Sequence, residues 1–415
     1  MIVFWIALLS LAIWLVLVFA RDGFWQTSER DTSPLAPLPG REGPGVGWPV
    51  AADALSPYPP TPDPSLAGRG EDGPWPYVVA IVPARDEAEV IARSIGSLAA
   101  QDYPGDFRII LVDDSSSDGT ADIARAAGGD RLQVVTGAAL ANGWTGKLWA
   151  VSQGIAAAGT APDYLLLTDA DIAHAPDTLR TLVARAVAEE RVLVSLMARL
   201  RCESLAERAL IPAFVWFFQM LYPFAAVNRR ASGRAAAAGG VMLVERTALD
   251  AAGGIAAVRS ALIDDCAFGA LMKTQGAIWL GLTDRAVSIR RYDSWDSVAQ
   301  MIARSAYAQL SYSPVLLAGT TIGLAITYLA PPLLAIFGQG ETRMTAIAAW
   351  ALMALAFQPM LRFYRRSPLW GPALPAIATF YAGCTLLSAW QHGRGRGGLW
   401  KGRVQAARHE EGLPS

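Results

Sequence analysis

The chain opens with Ile2 to Ala20, an apolar run of 19 residues without a charge. That is long enough to cross a bilayer as a helix. No charge precedes the run, and Val18-Phe19-Ala20-Arg21 makes a poor cleavage site, so the pattern predicts an uncleaved anchor over residues 1–21. Arg21, Arg30 and Arg41 follow it, and the positive-inside bias places the next domain in the cytoplasm. Residues 22–75 are dense in Pro, Gly, Asp and Ser and read as a largely unstructured linker.

From Tyr77 the pattern changes to alternating short apolar runs and amphipathic stretches. Strands are predicted at Val78–Val82, Arg108–Val112, Leu132–Val135, Tyr164–Leu167 and Arg191–Ala198. Helices are predicted between them at 87–100, 120–127, 147–158 and 177–190. Repeated βα units of this size imply an α/β domain, residues 76–312, with a mostly parallel, Rossmann-like sheet. Right-handed crossovers then bring the parallel strand ends to one edge, where ligands of open α/β sheets sit.

Residues 209–227 are aromatic-rich and broken by Pro212 and Pro223, a pattern expected of a segment lying in a membrane interface. Three apolar stretches follow within 313–392, at Pro314–Phe337, Met344–Leu361 and Leu369–Trp390, and a basic tail occupies 393–415. A cytoplasmic domain followed by three full crossings would put that tail outside, against the charge bias.

Composition narrows the chemistry. The 415 residues are 53% hydrophobic, which suits a membrane-associated chain, and the net charge of −1 gives no electrostatic case for nucleic-acid binding. The three cysteines are far apart, so neither a zinc cluster nor a disulfide framework is indicated. His174 is the one histidine in the α/β part and reads as a solvated loop residue, which leaves Ser-His-Asp chemistry without material.

Acidic residues instead gather at predicted strand ends. Thr168-Asp169-Ala170-Asp171 follows the Tyr164 strand; if the chain stays extended, both carboxylates face one point, and oxygen ligands suit Mg²⁺ or Mn²⁺. The first strand ends in Pro83-Ala84-Arg85-Asp86-Glu87 and the second in Asp113-Asp114-Ser115-Ser116-Ser117-Asp118-Gly119. Carboxylates there can accept hydrogen bonds from the imide N–H of uracil and from ribose hydroxyls, although the Ser/Asp/Gly run also makes an ordinary turn. Lys147, in Gly143-Trp144-Thr145-Gly146-Lys147, stands at a helix start suited to a diphosphate, without Walker A spacing. Asp264 and Asp265 precede another helix, where a carboxylate could take a hydroxyl proton or simply cap. The small residues Ala235 to Met242 would allow close approach of backbone and substrate, and Arg304, on a helix before the apolar region, can bind a phosphate bidentately or simply contact lipid headgroups.

In this order and spacing, PARDE, VDDSSSDGT, GWTGKLWA, TDADI, AAAAGG and IDDC resemble the inverting family 2 glycosyltransferases of the GT-A fold. The membrane arrangement resembles their ceramide-glucosyltransferase-like branch, and LMARLRCES, IPAFVWFFQMLYPFA and RSAYAQLSYSP resemble its hopene-associated members. The resemblance implies a bacterial inner-membrane enzyme moving a sugar from a nucleotide-sugar, such as a UDP-sugar, to a lipid acceptor, conceivably a hopanoid. It also implies that Pro83, Glu87, Asp113 and Asp114 line the nucleotide pocket, with Lys147 at its edge. Asp169 and Asp171 match the metal-binding DxD, and Asp265, with Asp264 beside it, matches the catalytic base. The Gln-x-x-Arg-Trp motif of many relatives has only Gln300…Arg304-Ser305 as its counterpart, one residue too long and without Trp, which argues against a polysaccharide-extruding synthase. A nucleotidyltransferase of similar sheet, or a catalytically idle membrane scaffold binding nucleotide-sugar or lipid, are the competing readings.

Overall fold

The computed structural model describes residues 1–31 and 75–395, with the backbone of a short hairpin at 399–400 and 403–404. Most of the expected linker and of the expected basic tail therefore lie outside the described residues.

Eight strands form one sheet: β1 (Val78–Ala84), β2 (Phe107–Asp113), β3 (Leu132–Thr136), β4 (Tyr164–Thr168), β5 (Ile172–His174), β6 (Leu193–Leu200), β7 (Val241–Glu245) and β8 (Ile278–Ser288). Their order is β3-β2-β1-β4-β7-β6-β8-β5. The β3-β2-β1-β4 half is parallel throughout. Beyond β4 the sheet is mixed, because β7 runs antiparallel to both β4 and β6. Alternate residues of β1 feed two separate cores, Val79 and Ile81 on one face, Val78, Ala80 and Val82 on the other. Both faces are thus covered, which is why these strands read as continuous apolar runs.

Ahead of the sheet lies α1 (Ile2–Ala20). The crossovers are α2 (Ala88–Ala99), α3 (Thr120–Gly128), α4 (Gly146–Ala158) and α5 (Thr178–Ala188). Then come α6 (Leu205–Leu221), α7 (Phe224–Asn228), α8 (Arg246–Ala251), α9 (Asp264–Lys273) and α10 (Trp295–Ala306). The carboxyl-terminal helices are α11 (Pro314–Leu324), α12 (Ala330–Phe337), α13 (Gly340–Ala356), α14 (Gln358–Phe363) and α15 (Leu374–Gly393). Among the described residues three helical spans are long and apolar enough to cross a membrane: Ile2–Ala20, Pro314–Phe337 and Gly340–Phe363. The expected third carboxyl-terminal span, Leu369–Trp390, is not among them. In its place α15 packs against α10 and α6.

Three further expectations are corrected. Residues 209–227 do not form a lipid-facing interfacial segment: α6 is a core helix, with Trp216 fully buried between Trp14, Phe24 and Phe357. Its aromatic density fills the seam between the sheet domain and the apolar helices, where large rings bury much area per residue. The helix starts at a capping box formed by Ser204 and Glu207, and Pro212 lies within it. Second, residues 22–31, expected as linker, return to the sheet. Arg21 donates to the Met220 carbonyl at the end of α6, and Asp31, 3% exposed, pairs with Arg285 and accepts from Thr283 on β8. Third, His174 is a buried residue of β5, 7% exposed, and burial lowers its pKa to about 4, so it is neutral.

Candidate active site

The parallel strands bring their carboxyl ends to one edge, and that edge carries the acidic motifs. At the end of β1 the chain reaches Asp86, whose φ is 50°, and at the end of β2 it reaches Ser115, whose φ is 57°. Left-handed conformations at non-glycine residues cost free energy and persist only where neighbours enforce them. Here the two turns lock together. The Asp86 and Glu87 amides donate to Ser116 Oγ and Thr120 Oγ1 at 3.0 and 2.8 Å, and the Ser117 amide donates to Asp86 Oδ1 at 2.8 Å. Asp114 is buried beside Arg85, their charged atoms 3.6 Å apart, whereas Asp113 stays half-exposed and accepts from the Ser116 amide. The turn reading thus accounts for part of this run.

Lys147 is the hub. The Thr145 side chain caps α4, placing Lys147 in its first turn. Its Nζ lies 2.9 Å from Asp169 Oδ1 and 3.2 Å from Asp264 Oδ2, joining the end of β4 to the start of α9. Burial opposes the lysine charge, but Asp169, Asp264 and Asp265 outweigh it and hold its pKa above the usual range. Pro83, Lys147, Asp169, Gly239 and Asp264 line a small open cleft, together with apolar side chains such as Phe268.

The extended-chain argument for Asp169 and Asp171 does not hold, because β4 ends at Thr168 and Ala170-Asp171 form a turn. The two carboxylates remain close: burial raises the Asp169 pKa, Lys147 lowers it, and Asp171 raises it again. Asp171 Oδ2 accepts from Ser288 Oγ at 3.0 Å and from Arg290 Nε at 3.1 Å. Arg290 Nη2 also reaches Glu87 Oε1 at 2.6 Å, so one guanidinium spans the ends of β1, β4 and β8.

Asp265 is held from two sides, its Oδ2 accepting from the Gly239 amide at 3.0 Å and its Oδ1 from the Cys266 amide at 2.7 Å. Burial and the neighbouring Asp264 nevertheless raise its pKa to about 6. A Cβ at Gly239 would lie 3.2 Å from Lys147 Nζ and 3.4 Å from Asp265 Cβ, a tight fit between the two side chains. Arg304 is not drawn into this cluster. It is exposed on α10, among the described residues it has no ion-pair partner, and its charge acts on Tyr292, which also feels Arg290, Asp171 and Asp169.

Among the described residues no group of three or more His, Cys, Asp or Glu side chains is arranged to hold a metal ion alone. Mg²⁺, however, is commonly held by one or two carboxylates completed by substrate phosphates. Asp169 and Asp171, close enough to feel each other's charge, fit that donor set. Reading the sequence missed Arg290 and Ser288. The signal available was Ser288-Ile289-Arg290-Arg291, a basic pair directly after the last strand and therefore at the sheet edge.

The family described as Glycosyl transferase family 2 matches residues 79–253. The chain is 35% identical over 123 residues to beta-monoglucosyldiacylglycerol synthase of Synechocystis sp., a match covering 29% of this chain and 25% of the relative's length. Among solved structures it is similar to mannosyltransferase PcManGT from Pyrobaculum calidifontis in complex with GDP-Man and Mn²⁺, at 18% identity and a TM-score of 0.53, covering 94% of this chain and 99% of that one. Glucosyl-3-phosphoglycerate synthase from Mycobacterium tuberculosis, with Mn²⁺, UDP-glucose and phosphoglyceric acid, gives 22% identity and a TM-score of 0.38 over 57% of this chain and 79% of that one. Residues 79–253 of this chain thus resemble glycosyl transferase family 2, and the sheet is that of the GT-A fold.

Proposed function

We propose that the protein is a membrane-bound inverting glycosyltransferase that moves a sugar from a nucleotide-sugar, preferably a UDP-sugar, to a lipid acceptor. The observation that carries this reading is the Lys147 bridge, which joins Asp169 and Asp264 at one cleft, with Asp171 and Asp265 close enough to act on them. In this reading the β1 and β2 ends, with Pro83, Glu87, Asp113 and Asp114, hold the nucleotide. Asp169 and Asp171 would hold a divalent cation, which would supply charge neutralisation where the leaving group gains negative charge. Lys147 and Arg290 offset the repulsion among the carboxylates before the donor arrives. Asp265, fixed by two backbone amides, takes the proton of the acceptor hydroxyl as that oxygen attacks the anomeric carbon from the opposite side.

The lipid acceptor is supported by three spans able to cross a membrane and by the lipid-glycosylating name of the Synechocystis relative. If those spans alone cross, Arg362, Arg365 and Arg366 fall on the same side as the catalytic domain. The charge conflict then disappears, and the inner-membrane, cytoplasm-facing, multi-pass arrangement follows the positive-inside bias. A hopanoid acceptor is the finest form of the proposal and rests on the sequence resemblance. Lipid mass spectrometry on membranes with and without the full chain tests the function: a lipid heavier by one sugar residue is expected, and identical lipid profiles would sink the proposal.

A further inference from the structure

A second polar cluster meets Asp265 from the side of the apolar helices. Gln309 Nε2 donates to the Tyr222 hydroxyl at 2.8 Å. Tyr222 closes the carboxyl end of α6, and its hydroxyl meets the thiol of Cys266, the neighbour of Asp265. Gln309 itself sits between α10 and Pro314, the first residue of α11. The pair thus stands just before a span able to cross a membrane and beside the residue that follows Asp265.

The backbone presenting Gln309 is under constraint. Ser311 and Tyr312 have φ of 51° and 55°. Tyr312 is held there by the Tyr307 hydroxyl, which donates to its carbonyl at 2.7 Å, and by stacking on His392 at 4.2 Å. Strain of this kind is retained at ligand-holding sites.

The cluster is uncharged. Burial and the nearby Cys266 push the Tyr222 phenol up to about 12, and burial together with Asp265 pushes the Cys266 thiol up as well. Among the described residues, the groups acting most strongly on these two include no cation. Lys147 is engaged with Asp169 and Asp264, and Lys273 with the Val227 and Arg229 carbonyls. A phosphate-bearing head group would meet the Asp265 carboxylate with Lys147, the cation nearest it, already shared among Asp169, Asp264 and Asp265. At about 4 Å and an effective dielectric near 20, an isolated pair of like charges is disfavoured roughly a thousandfold, and Lys147, shared by three carboxylates, offsets only part of that. A neutral hydroxyl exchanges water for the Gln309 amide and the Tyr222 hydroxyl at little cost.

We propose that Gln309 and Tyr222 form the acceptor subsite, and that it takes a lipid with an uncharged hydroxyl head group rather than a lipid phosphate. This rests on Asp265 being the base. The test starts from the lipid that gains a sugar in membranes of cells expressing the full chain. Mild acid cleaves glycosyl phosphates and spares neutral glycosides, so the product is expected to survive and to contain no phosphate at the sugar linkage. With the sugar-free form of that lipid in phosphatidylcholine vesicles, Gln309→Ala and Tyr222→Phe are expected to raise the KM for lipid about tenfold. The KM for the nucleotide-sugar and the Tm should stay unchanged. Should Tyr222→Phe melt early, Gln309→Ala decides, because that side chain is half-exposed. An acid-labile product overturns the inference, and so does an unchanged lipid KM. Absence of any sugar-bearing lipid with the unaltered chain overturns the transferase reading itself.

Discussion

Arg290 holds Asp171 through Nε at 3.1 Å while its Nη2 grips Glu87 at 2.6 Å. Burial works against this guanidinium, but Asp171 and Glu87 outweigh it and raise its pKa. Replacing it by alanine leaves two carboxylates facing each other without a shared cation. Arg290→Ala should lower the transfer rate about ten- to a hundredfold and cost about 1–3 kcal/mol of stability. Arg290→Lys, unable to bridge both acids with a planar fork, should recover only part of either. Steady-state kinetics and thermal melting check this.

Asp171→Ala removes one of two carboxylates placed for a divalent cation. Transfer should fall by about two to three orders of magnitude. The Mn²⁺ concentration needed for half-maximal activity should rise. Retained turnover in the purified variant would remove the assignment.

Asp265 carries a pKa raised to about 6, and a base works only when ionised. Activity should therefore rise as pH increases through about 6 and level off above it. Asp265→Asn should reduce transfer about 10²–10⁴-fold. The sign for stability is opposite. A raised folded pKa favours the protonated form, so the native state loses stability as pH climbs from the ordinary carboxylate range through about 6. Above that, Asp265→Asn should melt higher than the unaltered protein, by on the order of 1–3 kcal/mol. A pH–rate profile and melting curves at pH 5 and 8 test both.

Lys147 pulls the Asp265 pKa down. Lys147→Met should shift the acidic limb of the pH–rate profile upward, in addition to lowering the rate. A limb that stays in place would show that Lys147 and Asp265 do not communicate.

Trp216 is fully buried, stacks on Trp14 at 6.1 Å, and donates to the Ala356 carbonyl. Truncation there opens a cavity between the sheet domain and the apolar helices. Trp216→Ala should cost about 3–5 kcal/mol and lower the Tm in detergent.

Much of this protein was settled by short-range pattern. The continuous apolar runs from Val78 to Ala198 predicted strands because both faces of the parallel half are covered, and the acidic clusters at Glu87, Asp113, Asp169 and Asp265 were visible as motifs at element ends. Local spacing also predicted the apolar helix at Ile2–Ala20. Tertiary structure decided the rest. Whether α6 meets lipid or protein depends on Trp14 and Phe357, which are remote in the chain. His174 is buried because β5 returns against β8, which no neighbouring residue signals. The partner of Asp171 comes from Arg290, brought alongside only when β8 joins the same sheet. Periodicity reports which face of an element is apolar, because that is a property of consecutive residues. Charge pairing across a sheet edge depends on strand order, which is fixed by long-range packing.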